Sequence, residues 1–196
     1  MMNFDLNNKT ERVLAASLSC FKQYGFKRTS MEDLAKAADM SRPALYLLFK
    51  NKTDIFRSLS EAFHAKTLLS AKQALADNTS IQTRMSAAVT ARMTPLYALA
   101  HDSVHGPELF DVNQSTSGDL NAKADDTFLR MLTDALQASL AAGEITGGPD
   151  GLAARELAQL IIASAIGLKT FAFSAHDFET LLGKSVATFF QGMTPK

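Results

Sequence analysis

The chain has a single cysteine, Cys20, so no intrachain disulfide can form. Its apolar helical surroundings read as those of a small buried hydrophobe and not of a reactive thiol. Long apolar runs are also missing. The longest, Leu157 to Phe173, is interrupted by Gln159, Ser164, Lys169 and Thr170, short of the ~20 apolar residues a membrane span needs. No membrane partner is therefore expected. The opening MMNFDLNNK lacks a basic stretch followed by an apolar one, so no signal peptide is expected and the cytoplasm is the expected location. Alternating β-branched runs, the signature of strands, are absent too. So are a glycine-rich phosphate loop, an H-E-x-x-H pattern and any Cys–His arrangement with nucleophile spacing, which argues against an enzyme. His101 and His105 share helical spacing but have no cysteine or acidic cluster beside them, so neither a metal nor another cofactor is expected.

Net charge is absent only on average. Residues 1–66 hold 11 Lys and Arg against 7 Asp and Glu, whereas residues 67–196 hold 9 against 13. A basic first third on a mildly acidic remainder points to an anionic partner for the first third. Hydrophobic residues make up 46% of the 196 and charged residues 20%, enough apolar material for a sizeable core in one medium domain or two small ones.

The pattern is helix, turn, helix throughout, an all-α chain of about nine helices. Val13, Leu14, Leu18, Phe21 and Tyr24 form one apolar face over Lys9 to Tyr24, and Gly25 stops the helix. A second, short helix starts at Thr29-Ser30-Met31, where Thr29 with Glu32, or Ser30 with Asp33, fits a capping box. Asp39 stands where the turn needs a left-handed residue. Ser41 can cap a third helix, Arg42 to about Phe49. A fourth opens at Asn51-Lys52 and continues to about Ala76. Ser80 to His101 (bent near Pro95), Pro107 to Asn113, Ser117 to Ala142, Leu152 to Phe173 and Phe178 to Phe190 complete the set, with a loop over Gly143 to Gly151.

Two short helices about a tight break suit DNA binding if the third helix enters the major groove amino end first. Ser41 can reach a phosphate, and Arg42 carries the fork that pairs with guanine O6 and N7. Pro43 fits the first turn, where a missing N–H costs little, and offers an apolar face to a thymine methyl. Ala44 permits close approach. Tyr46, one turn on, can donate to a phosphate. Lys50 and Lys52 flank the start of the fourth helix, where charge and free N–H groups can hold a phosphate. Thr29 or Ser30, or Lys27 and Arg28 before them, are the phosphate candidates at the second helix. The rest of the run ALYLLF is expected to hold the helix to its domain.

Residues 9–66 resemble the DNA-binding domain of the tetracycline-repressor (TetR) family of transcriptional regulators, on the motifs VLAASLSCFKQYGFKRTSMEDLAKAADMS and ALYLLFKNKTDIF. The chain departs from the family in having Asp39 where glycine is usual, and Arg42-Pro43 where small or polar residues are common. The resemblance implies a three-helix helix-turn-helix domain over residues 8–66, with its motif at 30–49. It also implies a helical ligand-binding and dimerisation domain over 67–196. Its DNA contacts would lie at Thr29 or Ser30, Ser41 to Ala44, Tyr46 and Lys52. The implied partners are a pseudo-palindromic double-stranded DNA operator, a second copy of the chain and a small-molecule effector.

Beyond residue 76 the resemblance fades. The last two helices are strongly apolar, and Ala163 and Gly167 share a face. With Ile166, Phe178, Leu182, Val186 and Phe189 they are the expected homodimer interface, a four-helix arrangement in the family. Met93, Leu96, Tyr97, His101, Phe110, Phe128 and Met131 are the candidate lining of a pocket for an apolar ligand. The expected function is a homodimeric repressor released from DNA by that ligand. The alternative is a helical small-molecule or protein-binding module that keeps the corner without binding DNA.

Overall fold

The structure, a computed structural model, describes residues 4–147 and 151–193. Part of the expected loop, residues 148–150, lies outside the described residues. Eight helices are present among the described residues: α1 (Lys9–Tyr24), α2 (Met31–Ala37), α3 (Arg42–Leu48), α4 (Lys52–Leu75), α5 (Ile81–His101), α6 (Gly106–Ala141), α7 (Ala154–Leu168) and α8 (Ala175–Phe190). The expected helices 107–113 and 117–142 are one, kinked at Ser117 (φ −129°, ψ 20°). The cause is local. Ser115 and Thr116 turn their hydroxyls back onto the carbonyls of Asp111 and Val112, and such back-bonding bends helices.

The chain forms two compact units. One comprises residues 1–66 and 99–122, the other 67–98 and 123–196. Helices α4, α5 and α6 contribute to both.

In the first unit, local chemistry sets each helix boundary. Asn8 caps α1 by accepting from the N–H groups of Thr10 and Glu11, at 2.9 and 3.3 Å. Gly25 ends it at φ 83°. A side chain at Gly25 would be strained by that φ and would collide with the Glu108 carboxylate. Of the two capping boxes the sequence offers at α2, Ser30 with Asp33 forms. Two hydrogen bonds from Ser30 hold the Asp33 carboxyl below its ordinary range. Asp39 is left-handed (φ 52°), and the next N–H, from Met40, reaches the Ala35 carbonyl at 3.0 Å. The core beneath is Leu34, Ala35, Ala38, Leu45 and Phe49, with Leu109 and Val112 of α6. The rings of Phe21, Phe26 and Phe56 meet pairwise with centroids 5.3–5.9 Å apart, the tilted contacts aromatic quadrupoles favour.

The second unit is held by a larger apolar cluster, with Met85, Val89, Tyr97, Phe128, Leu132, Leu136, Leu157, Ile161, Phe178, Leu182 and Val186 buried. Glu144 fastens the start of α5, accepting from the Ile81 N–H at 2.6 Å and from Arg84 at 2.9 Å. Helix α7 ends earlier than the apolar pattern suggests. After Leu168 the chain turns, and Ser174 caps α8 by accepting from the Asp177 N–H at 3.0 Å. Periodicity alone misses this break because Phe171 and Phe173, which extend the apolar pattern, are exposed.

Candidate nucleic-acid interface

Helix α3 is fixed by two side chains one turn apart, Leu45 and Phe49, both buried in the first unit's core. Spacing of this kind leaves the opposite face free. That face carries Arg42, Pro43, Tyr46 and Leu47, all exposed, and Lys50, exposed too, follows the helix. Ser41 caps the helix through the Ala44 N–H at 3.3 Å and is itself exposed. Ala44 is half-buried. The Arg42 guanidinium lies 5.7 Å from the Tyr46 ring centre and 3.9 Å from Glu32. Interaction with Tyr46, with Glu32 adding, raises its pKa, so the fork stays charged and is pre-positioned over α3.

Leu47 is the residue the sequence reading passes over. It was expected to anchor α3, yet it is 87% exposed. The signal was available: Leu45 and Phe49 suffice to seat a seven-residue helix, and a leucine two positions from Leu45 then points away.

Two expected phosphate contacts have other partners. Thr29 is buried, and its hydroxyl donates to the Gly25 carbonyl at 2.6 Å. The Lys52 ammonium donates to the carbonyls of Phe26 and Thr29 at 2.5 and 2.6 Å, 4.4 Å from the Phe26 ring centre. Burial pushes its pKa down, against the pull of Glu108. The reason is tertiary. The loop between α1 and α2 arrives with free carbonyls, and an ammonium at the start of α4 satisfies them. Glu108 does the complementary task, its Oε1 accepting from the Lys27 N–H at 2.8 Å. Ser30, by contrast, is exposed at the head of α2, with its hydroxyl on Asp33 at 2.6 Å. Lys27, Arg28 and Lys36 are exposed cations of the same unit.

The effector candidates do not form one group. Met93, Leu96, Tyr97, Phe128 and Met131 belong to the second unit, whereas His101 and Phe110 belong to the first and are exposed. Tyr97 and Phe128 are buried in the core. The Tyr97 ring stacks on Phe178 at 4.6 Å, and its hydroxyl donates to the Ala172 carbonyl at 2.8 Å. No group of three or more His, Cys, Asp or Glu fit to hold a metal occurs among the described residues, nor any helix long and apolar enough to cross a membrane.

The interface candidates divide in the same way. Phe178, Leu182 and Val186 are buried within the second unit, so they are core. Phe189 is half-buried, while Ala163, Ile166 and Gly167 are exposed. Leu160, also exposed, extends these three into a stripe along α7. Ser164 meets Ser185 of α8 at 2.6 Å.

Residues 13–59 match the family model described as bacterial regulatory proteins, tetR family. The AcrR regulator of Shigella flexneri is 39% identical over 51 residues, 26% of this chain and 24% of AcrR. The chain thus matches about a quarter of that relative's length. A TetR/AcrR-family regulator from Thermobifida fusca superposes with a TM-score of 0.71, covering 90% of this chain and 95% of that one at 15% identity. FadR of Bacillus subtilis, solved with stearoyl-CoA, superposes with a TM-score of 0.69, covering 92% and 97% at 20% identity. Residues 13–59 thus match the amino-terminal model of the tetR family of bacterial regulatory proteins, and the fold that carries them resembles those of solved regulators of that family.

Proposed function

We propose that the protein is a cytoplasmic, homodimeric transcriptional repressor that binds an operator through α3 and leaves it on binding a small apolar effector. The observation that carries this reading is the outward face of α3. Arg42, Pro43, Tyr46 and Leu47 stand free on a helix seated by Leu45 and Phe49, inside the segment that matches the family. Arg42 reads guanine, and Pro43 and Leu47 give apolar contact to thymine methyls. Ser41, Tyr46 and Lys50 contact the backbone, joined by Ser30, Lys27 and Arg28. Lys52 and Thr29 act behind them, holding the loop that presents those residues.

A seven-residue reading helix covers few bases, so a second copy is needed. The exposed stripe Leu160, Ala163, Ile166 and Gly167 of α7 is the proposed seam, with Phe189 at its side. Two copies place their reading helices on successive major-groove faces, ~34–36 Å or a multiple apart. An effector bound in the second unit favours another spacing and thereby lowers DNA affinity. The stearoyl-CoA bound by FadR does not transfer at 20% identity; what supports an apolar effector is the aromatic and methionine content of the second unit's core.

The test is a mobility-shift assay on the DNA upstream of the protein's own gene. Arg42→Ala should cost about 1–3 kcal/mol and relax preference at one base position. An unchanged sequence preference would remove Arg42 from the reading face.

A further inference from the structure

Glu32 has no place in the cap of the helix on which it stands. The α2 cap is the pair Ser30 and Asp33. Thr29, which Glu32 would need for the alternative box, gives its hydroxyl to the Gly25 carbonyl at 2.6 Å. The Glu32 carboxylate meets α3 instead, where its Oε2 lies 3.9 Å from Arg42 Nη1. The same guanidinium lies 5.7 Å from the Tyr46 ring centre. An acid from α2 and a ring from α3 thus both engage the Arg42 fork. With Lys36, Asp39, Met40 and Ser41, Glu32 and Arg42 wall an open groove of about 550 Å³ between the two helices.

The ion pair adds little to stability, because the Arg42 and Glu32 side chains are 58% and 78% exposed. For DNA binding its place is unfavourable. Duplex DNA carries one negative charge per ~1.7 Å of axis, and a carboxylate beside the reading helix opposes it. A residue that lowers affinity and gives the fold little serves discrimination, since specificity is a difference between affinities. The chemistry of the fork shows how. A guanidinium has more N–H donors than guanine O6 and N7 take, so Arg42 can read guanine and keep Glu32. Where that guanine is missing, the fork's other target is a phosphate, and Glu32 competes with it.

We infer that Glu32 is a positioning residue for base reading: it holds the Arg42 fork off the phosphates, so that Arg42 adds to binding only where it finds its guanine. The inference rests on the reading that α3 enters the major groove of an operator, and it names the residue that sets the selectivity of that contact.

The experiment measures binding of the full chain by fluorescence anisotropy over a range of salt concentrations. The probes are the duplex upstream of the protein's own gene and the same duplex with its base order scrambled. Glu32→Gln keeps the shape of the side chain and removes its charge. It should raise affinity for the scrambled duplex about fivefold, the upper worth of an exposed ion pair. Affinity for the upstream duplex should rise less than about twofold, so the ratio between the two falls. The salt dependence on the scrambled duplex should steepen by about one phosphate contact, the one that Arg42 gains. In an Arg42→Ala background the fivefold gain should shrink below about twofold. Equal gains on both duplexes, a loss on the upstream duplex, or a gain that survives undiminished without Arg42 would overturn the inference. Sequence preference in the unaltered protein with an unchanged ratio in Glu32→Gln defeats this inference alone. An unaltered protein that does not prefer the upstream duplex defeats the regulatory reading on which it rests.

Discussion

Lys52 and Arg92 are cations drawn into the two units, and they meet different circumstances. Lys52 is surrounded by backbone carbonyls it satisfies, at 2.5 and 2.6 Å. Arg92 meets one solvent-facing carboxylate, Asp125, and keeps a buried Nε without a partner. The leucines differ in the same sense. Leu47 of the first unit is exposed, whereas Leu182 of the second is buried. The first unit uses inward polar contacts to stiffen loops and turns a small set of side chains outward. The second spends its apolar residues on a core and leaves one guanidinium N–H of Arg92 unmatched inside. One is organised to present a surface, the other to enclose a core.

The contrast breaks most visibly at Phe178. If it belonged to a dimer seam, Phe178→Ala would weaken self-association and spare the fold. As a fully buried core ring stacked on Tyr97, it should instead cost about 3–5 kcal/mol of stability, read by denaturant unfolding. Ile166→Asp should behave conversely. Ile166 is 54% exposed, so the variant keeps its helical circular dichroism while sedimentation shows a monomer. A dimeric Ile166→Asp protein would take the seam away from α7.

Lys52 gives the next largest effect. As a phosphate contact, its loss would lower affinity for all DNA and reduce the salt dependence. As the donor to the carbonyls of Phe26 and Thr29, its replacement by Met should cost about 2 kcal/mol of stability, because those acceptors lose their partner. Thermal melting of Lys52→Met separates the roles: an unchanged melting temperature with weakened DNA binding would return Lys52 to the phosphates.

These residues show which part of the molecule could be read in advance. The bounds of α1, the Ser41 cap, the left-handed Asp39 and the Gly25 stop all follow from interactions within a few residues, and all are visible in the string. The choice of Ser30 over Thr29 as the α2 cap was not, because Thr29 is drawn to the Gly25 carbonyl only once the chain has folded back. The carbonyl partners of Lys52 were hidden for the same reason, lying 23 and 26 positions away. In the second unit almost every decision is of this long-range kind. Phe178 and Ile166 are both apolar helical residues, and only the packing of α7 and α8 tells core from seam. The Arg92–Asp125 contact joins residues 33 positions apart, and no local motif announces it.

Leu47 sharpens the first unit's side of the comparison by a smaller amount. An exposed leucine on a reading helix has no structural duty, so Leu47→Ala should leave stability within about 0.5 kcal/mol. Operator affinity should fall by about 1 kcal/mol, and only where a thymine methyl is lost. Mobility shifts with thymine replaced by uracil test this directly, since the base change and Leu47→Ala should then not be additive. Full additivity would place Leu47 away from the bases.

The smallest effect concerns acid. Arg57 grips Asp119 with two bonds, at 2.7 and 2.8 Å, and also donates to the Thr116 carbonyl beside the α6 kink. The guanidinium holds the Asp119 carboxyl down from 3.8 to about 2. Because the folded pKa lies below the unfolded one, the contribution to stability is fully present above about pH 4 and is lost as the pH falls towards 2. Both groups are exposed, so salt screens the pair. Asp119→Asn should therefore remove a shallow acid-dependent component of the first unit's stability, flattening the stability curve between pH 4 and pH 2 without changing its shape near neutrality. The Arg92–Asp125 contact supplies the control from the other unit. Its cation is buried and its carboxylate is not, and losing Asp125 strands the cation. Asp125→Asn should lower stability at neutral pH, where Asp119→Asn does little.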